Sequence, residues 1–238
     1  MNSEFLHQPC LWVVGYPRSG NTWINYLCSY CLNLPYCDFD ALDRPPQKEW
    51  VREAVAGKNA WQAPPGFAAV VKTHRLPPQV PHRNGGVIYL QRDPRDVFVS
   101  QHHFLQHQAR RGPKRFWYQL LGIKGKNAQM RWFVQQWQRH VLAWKPFVRS
   151  VIQYEKIRRE GAPYFVHSLQ KAGFEVSHER ARQAMEFFAF DKMSEGRKAG
   201  EGDAKSFFRR GVVGDHRNHL SEAEHQLFAP ALMIAEML

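Results

Sequence analysis

Leu11-Trp-Val-Val-Gly-Tyr-Pro-Arg-Ser-Gly-Asn-Thr-Trp23 is the stretch from which the fold can be inferred. Its first four residues form a short apolar run that predicts a buried strand. Gly15 and Gly20 bracket a tight turn, and the apolar residues that follow have helical spacing. A strand, a glycine loop and a helix in this order direct backbone N–H groups and the positive end of a helix dipole toward one point, which suits a phosphate. The alternative is a glycine turn between a core strand and a core helix.

The end of this loop differs from that of nucleoside triphosphatases. Their loops end in Gly-Lys-Thr, whereas Asn21 stands here where that lysine would be. The cation lies inside the loop instead, as Arg18. The loop therefore suits a phosphate better than a magnesium triphosphate. A P-loop nucleotide kinase remains an alternative that magnesium-dependent ATP hydrolysis would support.

Composition limits the class of protein. The chain has 238 residues, which suits one α/β domain with a sizeable core. Its 33 Lys+Arg and 21 Asp+Glu give a formal net charge of +12, which is compatible with a polyanionic small ligand, with nucleic acid or with an anionic membrane. No apolar run approaches the roughly 18 residues of a membrane span, and no secretory signal is visible. We therefore expect a cytoplasmic protein without stable membrane insertion.

The four cysteines favour a reducing compartment. Cys28 and Cys31 form a Cys-x-x-Cys on the apolar face of the first predicted helix. Zinc is not expected, because no second Cys-x-x-Cys or histidine pair follows. Buried free thiols are the better interpretation for these two residues and for Cys10 and Cys37.

Three further apolar runs predict strands, at Ala68 to Val71, Gly86 to Gln91 and Val148 to Tyr154. Lys72 and His74 stand at the exit of the first of these runs, where α/β proteins build their sites. A lysine and a histidine there can supply charge stabilisation and a proton acceptor.

Several segments predict helices and loops. Asp93 is a good N-cap for a helix that continues to about His107. Asn127 to Trp144 predicts an amphipathic core helix, and two more helices are predicted near Gly161 to Ala172 and Ser177 to Phe188. Tyr36 to Pro65 predicts loops with one short helix near Lys48 to Val55. Ser194 to Ser206, with three glycines among charged residues and no core pattern, is predicted to be mobile.

Residues 15 to 23 resemble the 5'-phosphosulfate loop of the sulfotransferases that use 3'-phosphoadenosine 5'-phosphosulfate (PAPS), which usually have lysine in place of Arg18. Lys72-Thr-His-Arg-Leu-Pro77 is similar to the Lys-Thr-His-Leu-Pro segment of cytosolic sulfotransferases, with Arg75 inserted. Tyr89 to Phe104 closely resembles the family's 3'-phosphate segment. Gln153 to Ile157, Phe190 to Met193 and Phe207 to Asn218 resemble the family's later motifs, in family order.

The resemblance implies a fold and an activity. The fold is α/β, one P-loop-NTPase-like sulfotransferase domain over 1–238 with a central, mostly parallel sheet flanked by helices. The activity is transfer of a sulfuryl group from PAPS to a hydroxyl or amine of a small-molecule, lipid or sugar acceptor, with adenosine 3',5'-bisphosphate (PAP) as the product and no metal. By the resemblance His74 is the general base, Lys72 contacts the sulfuryl group, and Arg18 is the third catalytic residue. The implied nucleotide ligands are Arg18, Ser19, Gly20, Asn21, Thr22, Trp23, Arg92, Ser100, Tyr154, Phe190, Arg209, Arg210 and Gly211.

The resemblance also divides the chain into working segments. Residues 8–35 hold the phosphosulfate loop and the first helix, and 36–66 and 109–127 are expected to cap the acceptor side. Residues 194–218 are expected to combine a mobile segment with the 3'-phosphate clamp. Interleaved basic and aromatic residues in 109–127 leave nucleic-acid binding as an alternative, although a small-molecule acceptor is preferred. The family's dimerisation pattern is degraded here, so the oligomeric state stays open.

Overall fold

The structure is a computed structural model that describes residues 8–41, 48–56, 66–81, 85–107, 121–198, 200–201 and 211–237. The chain divides into two compact units. The first consists of Met1–Gln91 and Ala143–Phe188, and the second of Arg92–Leu142 and Ala189–Leu238.

A five-stranded sheet forms the centre of the first unit, with the strand order β2-β3-β1-β4-β5. All four neighbouring pairs are parallel. Every residue of β1, β3 and β4 is buried, as expected for a parallel sheet covered on both faces. The strands are β1 (Leu11–Val14), β2 (Tyr36–Asp38), β3 (Val70–Thr73), β4 (Gly86–Gln91) and β5 (Ser150–Gln153).

Helices follow most of the strands. Within the first unit α1 packs on β1, β2 and β3, and α6 packs on β5 and α7. The helices of the described residues are α1 (Asn21–Leu32), α2 (Glu49–Ala54), α3 (Pro94–His107), α4 (Lys126–Trp144), α5 (Tyr154–Glu160), α6 (Ala162–Lys171), α7 (His178–Phe187), α8 (Phe190–Met193), α9 (Glu222–Gln226) and α10 (Ala229–Ala235). No helix in these ranges is both long enough and apolar enough to cross a membrane.

The second unit has an aromatic core. Phe98 of α3 lies 5.4 Å from Phe133 of α4 and 5.7 Å from Phe228, measured between ring centroids. All three rings are fully buried. The part of the apolar stripe of α4 that belongs to this unit is also buried, and its members are Met130, Phe133, Val134, Trp137 and Val141.

The sequence analysis predicted the fold class correctly, as an α/β fold with a parallel central sheet. The loop prediction for Tyr36 to Pro65 was wrong at Tyr36–Asp38, which is the edge strand β2. Three residues are too short to show the alternation that identifies a strand, and pairing with β3 stabilises them. Tyr154 was predicted to end a strand but begins α5, because β5 ends at Gln153. The division of the chain into one domain with acceptor-side caps stays a prediction.

The cysteines agree with the expectation of free thiols. Cys10, Cys28, Cys31 and Cys37 are all free and buried. Burial raises the pKa of Cys10 and of Cys37 to about 11, which makes both thiols poor nucleophiles at neutral pH.

Gly85 is required by close backbone packing, which gives a test of the fold. A Cβ there would lie 1.8 Å from the carbonyl oxygen of Cys10, whereas a Cβ at Gly86 would meet its nearest neighbours at 3.7 Å. Gly85→Ala should therefore lower the free energy of unfolding by about 3 kcal/mol, the upper part of the range for overpacking. Gly86→Ala is the control and should change it by less than about 1 kcal/mol. Urea denaturation followed by circular dichroism measures both, and equal stabilities would contradict this packing.

Candidate active site

The glycine loop between β1 and α1 is shaped by two close approaches. A Cβ on Gly15 would lie 2.4 Å from Oδ1 of Asn21 and 2.8 Å from the carbonyl oxygen of Leu90. Gly20 has a φ of 100°, and a Cβ there would lie 2.9 Å from the ring of Tyr154. Glycine is therefore the residue that fits both positions.

Asn21 occupies the position that lysine has in nucleoside triphosphatases, and its side chain has a different role. Its Nδ2 donates a hydrogen bond of 3.0 Å to the carbonyl oxygen of Tyr16, so the side chain fastens the loop to the start of α1. The side chain is almost fully buried and turns inward to the loop backbone. What Asn21 offers an anion is thus its backbone N–H rather than a cation.

The start of α1 has the features of an anion-binding site. Gly20 is the N-cap residue of α1, so no side chain accepts hydrogen bonds from the first N–H groups of the helix. No acidic residue lies in the first turn to offset the helix dipole. Ser19 is fully buried, and its Oγ has no hydrogen-bond partner among the described residues. Arg18 adopts a left-handed φ of 73°, a conformation that costs a non-glycine residue about 1–3 kcal/mol and is concentrated at functional sites. A buried hydroxyl without a partner beside a positive helix end fits a bound phosphate.

His74 is tied directly to this loop. β1 and β3 pair in a register that sets Val14 opposite Thr73, so His74 follows β3 beside Gly15. The distance between His74 Nδ1 and the carbonyl oxygen of Gly15 is 2.7 Å. A carbonyl can only accept, so Nδ1 carries the proton and Nε2 carries the lone pair. This is the tautomer that a general base requires.

The surroundings of His74 keep the imidazole neutral. Its pKa is lowered from 6.5 to about 4, first by burial and then by the nearby Lys72 ammonium. The carbonyl of Gly15 and the carboxylates of Asp40 and Asp38 oppose this shift without cancelling it. At neutral pH the ring therefore accepts a proton instead of carrying one.

Sequence reasoning missed two acidic residues, Asp38 at the end of the edge strand and Asp40 just after it. Asp38 Oδ2 lies 2.8 Å from Lys72 Nζ. Asp40 Oδ2 accepts a hydrogen bond of 2.7 Å from the backbone N–H of His74. The only sequence signal is an acidic residue after the short run Leu34 to Cys37, in a segment interpreted as a cap over the acceptor.

Aromatic residues of the first unit surround the loop. The ring of Tyr154 packs on Gly20 and makes an edge contact with Trp23, with ring centroids 6.1 Å apart. Trp23 Nε1 donates to the carbonyl oxygen of Phe188 at 3.0 Å. The guanidinium of Arg158 lies 5.7 Å from the Trp23 ring centroid. The structure thus brings Tyr154 and Trp23 together with the loop, and their predicted contacts with the nucleotide base stay a prediction.

The second unit brings together three other predicted residues. Arg92 donates a hydrogen bond of 3.1 Å to the carbonyl oxygen of Val212, next to Gly211. Gly211 has a φ of 64°, and a Cβ there would lie 2.4 Å from the ring of Phe190. Arg197, which the sequence analysis did not select, lies 5.9 Å from the centroid of that ring. Arg92, Phe190 and Gly211 therefore form one neighbourhood.

Asp96 holds this neighbourhood in place and was not selected from the sequence. Its side chain is 1% exposed. It accepts hydrogen bonds from the backbone N–H groups of Gly214 at 2.7 Å and His216 at 2.9 Å. Ser100 lies further along α3 and is buried. Arg209 and Arg210 lie outside the described residues, so their predicted role stays a prediction.

Comparison with known proteins identifies the family of this chain. A family model described as a sulfotransferase domain matches residues 8–231. The chain belongs to the sulfotransferase family. Within the described ranges, no group of three or more His, Cys, Asp or Glu side chains could hold a metal ion.

Curated relatives in this family are distant but match along most of their length. Human sulfotransferase 1C2 is 25% identical, over 92% of this chain and 80% of its own. The amine sulfotransferase of Oryctolagus cuniculus is 24% identical, over 92% of this chain and 77% of its own. The 3-alpha-hydroxysteroid sulfotransferase of Cavia porcellus is also 24% identical, over 90% of this chain and 79% of its own.

Solved structures show the same fold. Mouse sulfotransferase SULT7A1, crystallised with PAP, matches with a TM-score of 0.64 at 18% identity, over 95% of this chain and 83% of that one. Retinol dehydratase, crystallised with androsterone and PAP, matches with a TM-score of 0.58 at 19% identity, over 97% of this chain and 83% of that one. The sulfotransferase family is thus supported by sequence and by fold.

The His74 environment predicts an unusual titration. NMR of the ring in isotopically labelled protein should give a pKa near 4, far below the ordinary 6.5. Lys72→Met removes the nearby cation and should raise this pKa, whereas the control Lys72→Arg keeps the charge and should not. A wild-type His74 that titrates at its ordinary value would contradict the environment described.

The same lowered pKa predicts how stability depends on pH. Because the folded value of about 4 lies below the ordinary 6.5, the unfolded chain takes up the proton first as the pH falls. Neutral His74 therefore makes its full contribution to the free energy of unfolding when the pH is above the ordinary pKa of 6.5. This contribution is lost as the pH falls toward about 4, the pKa of His74 in the folded protein. Urea midpoints for wild type and His74→Gln should converge over that window, and a constant difference between them would contradict this linkage.

Proposed function

We propose that the protein transfers a sulfuryl group from PAPS to a hydroxyl or amine of a small-molecule acceptor. The observation that carries this proposal is the hydrogen bond between His74 and Gly15, which fixes a neutral base against an anion-binding loop. Membership of the sulfotransferase family and the PAP complexes of two proteins with the same fold support it.

The loop residues hold the 5' end of the donor. The backbone N–H groups of Gly20, Asn21 and Thr22 and the buried hydroxyl of Ser19 donate to its oxygens. Arg18 supplies the cation that stands in lysine's place. Trp23 and Tyr154 offer aromatic surface to the adenine. PAPS supplies the activated sulfuryl group; these residues bind and orient it.

By the resemblance, a second group of residues holds the 3'-phosphate. Arg92 and Ser100 donate to it, and Gly211 lets it approach the backbone closely. Phe190 packs against the adenine, as the resemblance implies. Asp96 keeps this segment in place through its bonds to Gly214 and His216. Arg209 and Arg210 are assigned to the 3'-phosphate clamp from the resemblance alone.

His74 is the proton acceptor in the transfer step. Its Nε2 takes the proton of the acceptor hydroxyl or amine as that atom attacks sulfur, and the bond from sulfur to the bridging oxygen of the donor breaks. Arg18, Lys72 and the loop N–H groups stabilise the negative charge that develops on the oxygens. Rate enhancement then comes from positioning and electrostatics, as in phosphoryl transfer, and the chain's own cations supply the charge.

The acceptor is a small molecule with a hydroxyl or an amine. The relatives include an amine sulfotransferase and a hydroxysteroid sulfotransferase, so both amines and hydroxyls are represented among the acceptors named for the family. The free buried thiols favour a reducing compartment, in keeping with a cytoplasmic location. The absence of a nucleic-acid partner and the oligomeric state stay predictions. Incubation with [35S]PAPS and panels of phenols, steroids, aryl amines and sugars tests the activity, and no labelled product with any class would contradict it.

Replacing the base should separate catalysis from donor binding. His74→Gln keeps a donor that can reach the Gly15 carbonyl but removes the basic nitrogen. We expect kcat to fall by about 10²- to 10⁴-fold while the affinity for PAP stays nearly unchanged. The exposed His167→Gln on α6 is the control and should retain full activity. Steady-state kinetics and calorimetry measure the two quantities, and normal turnover by His74→Gln would rule out this base.

Replacing Arg92 should affect only nucleotides that carry a 3'-phosphate. Loss of its charged hydrogen bonds should weaken PAP binding by about 10- to 100-fold, or about 1.5–3 kcal/mol. Binding of adenosine 5'-phosphate should not change. The control is Arg95→Gln, because Arg95 is paired with Asp93. Equal weakening of both nucleotides by Arg92→Gln, measured by calorimetry, would contradict the assignment.

A further inference from the structure

The edge strand β2 places an acidic residue beside the catalytic lysine. β2 pairs with β3 in a parallel register that sets Asp38 opposite Lys72. The neighbouring Phe39 N–H donates to the carbonyl oxygen of Lys72 at 2.9 Å, so the backbone on both sides of this pair is held as well. The side chains of Asp38 and Lys72 therefore meet at the edge of the sheet where the glycine loop begins.

The contact between these side chains is short and shielded from water. Lys72 Nζ lies 2.8 Å from Asp38 Oδ2, with 9% of the lysine side chain and 17% of the aspartate side chain exposed. A buried ammonium without a partner would be costly, and one carboxylate provides that partner. An ammonium has three N–H donors, so the bond to Asp38 leaves two for other oxygens.

The carboxylate of Asp38 is itself held in place. Its Oδ1 accepts a hydrogen bond of 3.1 Å from the backbone N–H of Asp40. Asp40 in turn accepts from the backbone N–H of His74 at 2.7 Å and from Thr73 Oγ1 at 3.1 Å. The end of β2 and the short turn after it thus fix the side chain of Lys72 and the backbone of His74 together.

We propose that Asp38 is a positioning residue for the transfer reaction, which holds the Lys72 ammonium beside His74 so that its other donors meet the sulfuryl oxygens. This inference rests on the proposed function, because Lys72 is assigned to the sulfuryl group there. Asp38 also offsets the charge of Lys72 close to His74, which opposes the lowering of the imidazole pKa.

A double-mutant cycle tests whether Asp38 acts through Lys72. Asp38→Asn keeps an oxygen that can accept a hydrogen bond from Lys72 but removes the negative charge. The interaction that holds the Lys72 ammonium in place is therefore weaker. We expect kcat to fall by about 10- to 100-fold, the size of effect that misplacement of a catalytic group produces. The KM for PAPS should change far less. In a Lys72→Met background the same substitution should change kcat by less than about 2-fold, because the group it positions is absent.

Two further variants separate positioning from folding. Asp38→Glu restores the charge and should recover part of the lost kcat. Glu224→Gln is a matched control: its ion pair with Lys126 measures 2.7 Å and its carboxylate side chain is 18% exposed, much like Asp38. It lies outside the proposed machinery and should leave kcat unchanged. Thermal unfolding and PAP calorimetry, run on every variant, show which of them are folded.

The outcomes are distinguishable. A loss of kcat that depends on Lys72 in folded, PAP-binding variants supports the inference. An equal loss in both backgrounds, or no loss from Asp38→Asn, would overturn it while leaving the sulfotransferase assignment intact. A wild-type enzyme that neither binds PAP nor transfers label would overturn the proposed function and this inference together.

Discussion

The hydrogen bond between His74 Nδ1 and the carbonyl oxygen of Gly15 is the contact on which the site depends. It joins the residue after β3 to the residue after β1, and therefore exists only because these strands pair side by side in one register. It also fixes the ring proton on Nδ1 and so leaves the lone pair on Nε2. A single contact thus sets where the imidazole lies and which of its nitrogens can accept a proton.

The sheet makes that contact possible through its strand order. β1 lies between β3 and β4. After β1 the chain forms β2 and β3 on one side of it and then β4 and β5 on the other side. α/β sheets form their ligand crevices at such a switch point. Gly15 is confined between Asn21 and the backbone of Leu90, so the loop has little freedom to move. The outer strand β2 contributes the carboxylate of Asp38, which holds Lys72, and the turn after it contributes the carboxylate of Asp40, which holds His74. The contacts that pack this edge of the sheet therefore also arrange the candidate site.

Much of the fold and of the candidate site could be predicted from the sequence. Several strands are continuous apolar runs, and the two glycines of the loop have a specific spacing. Lys72 and His74 were selected because they follow such a run, and Arg92 was selected because its segment resembles the family's 3'-phosphate segment. The carboxylates of Asp38, Asp40 and Asp96 were not, since their roles arise from partners 34 to 120 residues away along the chain. β2 was missed for the same reason, because three residues carry no periodic signal and only pairing with β3 makes them a strand.

A crystal structure with PAP would test most directly whether the glycine loop and His74 form one reaction centre. The 5'-phosphate should lie within hydrogen-bond distance of Ser19 Oγ and the loop N–H groups, with Nε2 of His74 facing it and Nδ1 still bound to Gly15. A nucleotide bound elsewhere with the loop empty, or a His74 ring turned away from Gly15, would contradict the centre described.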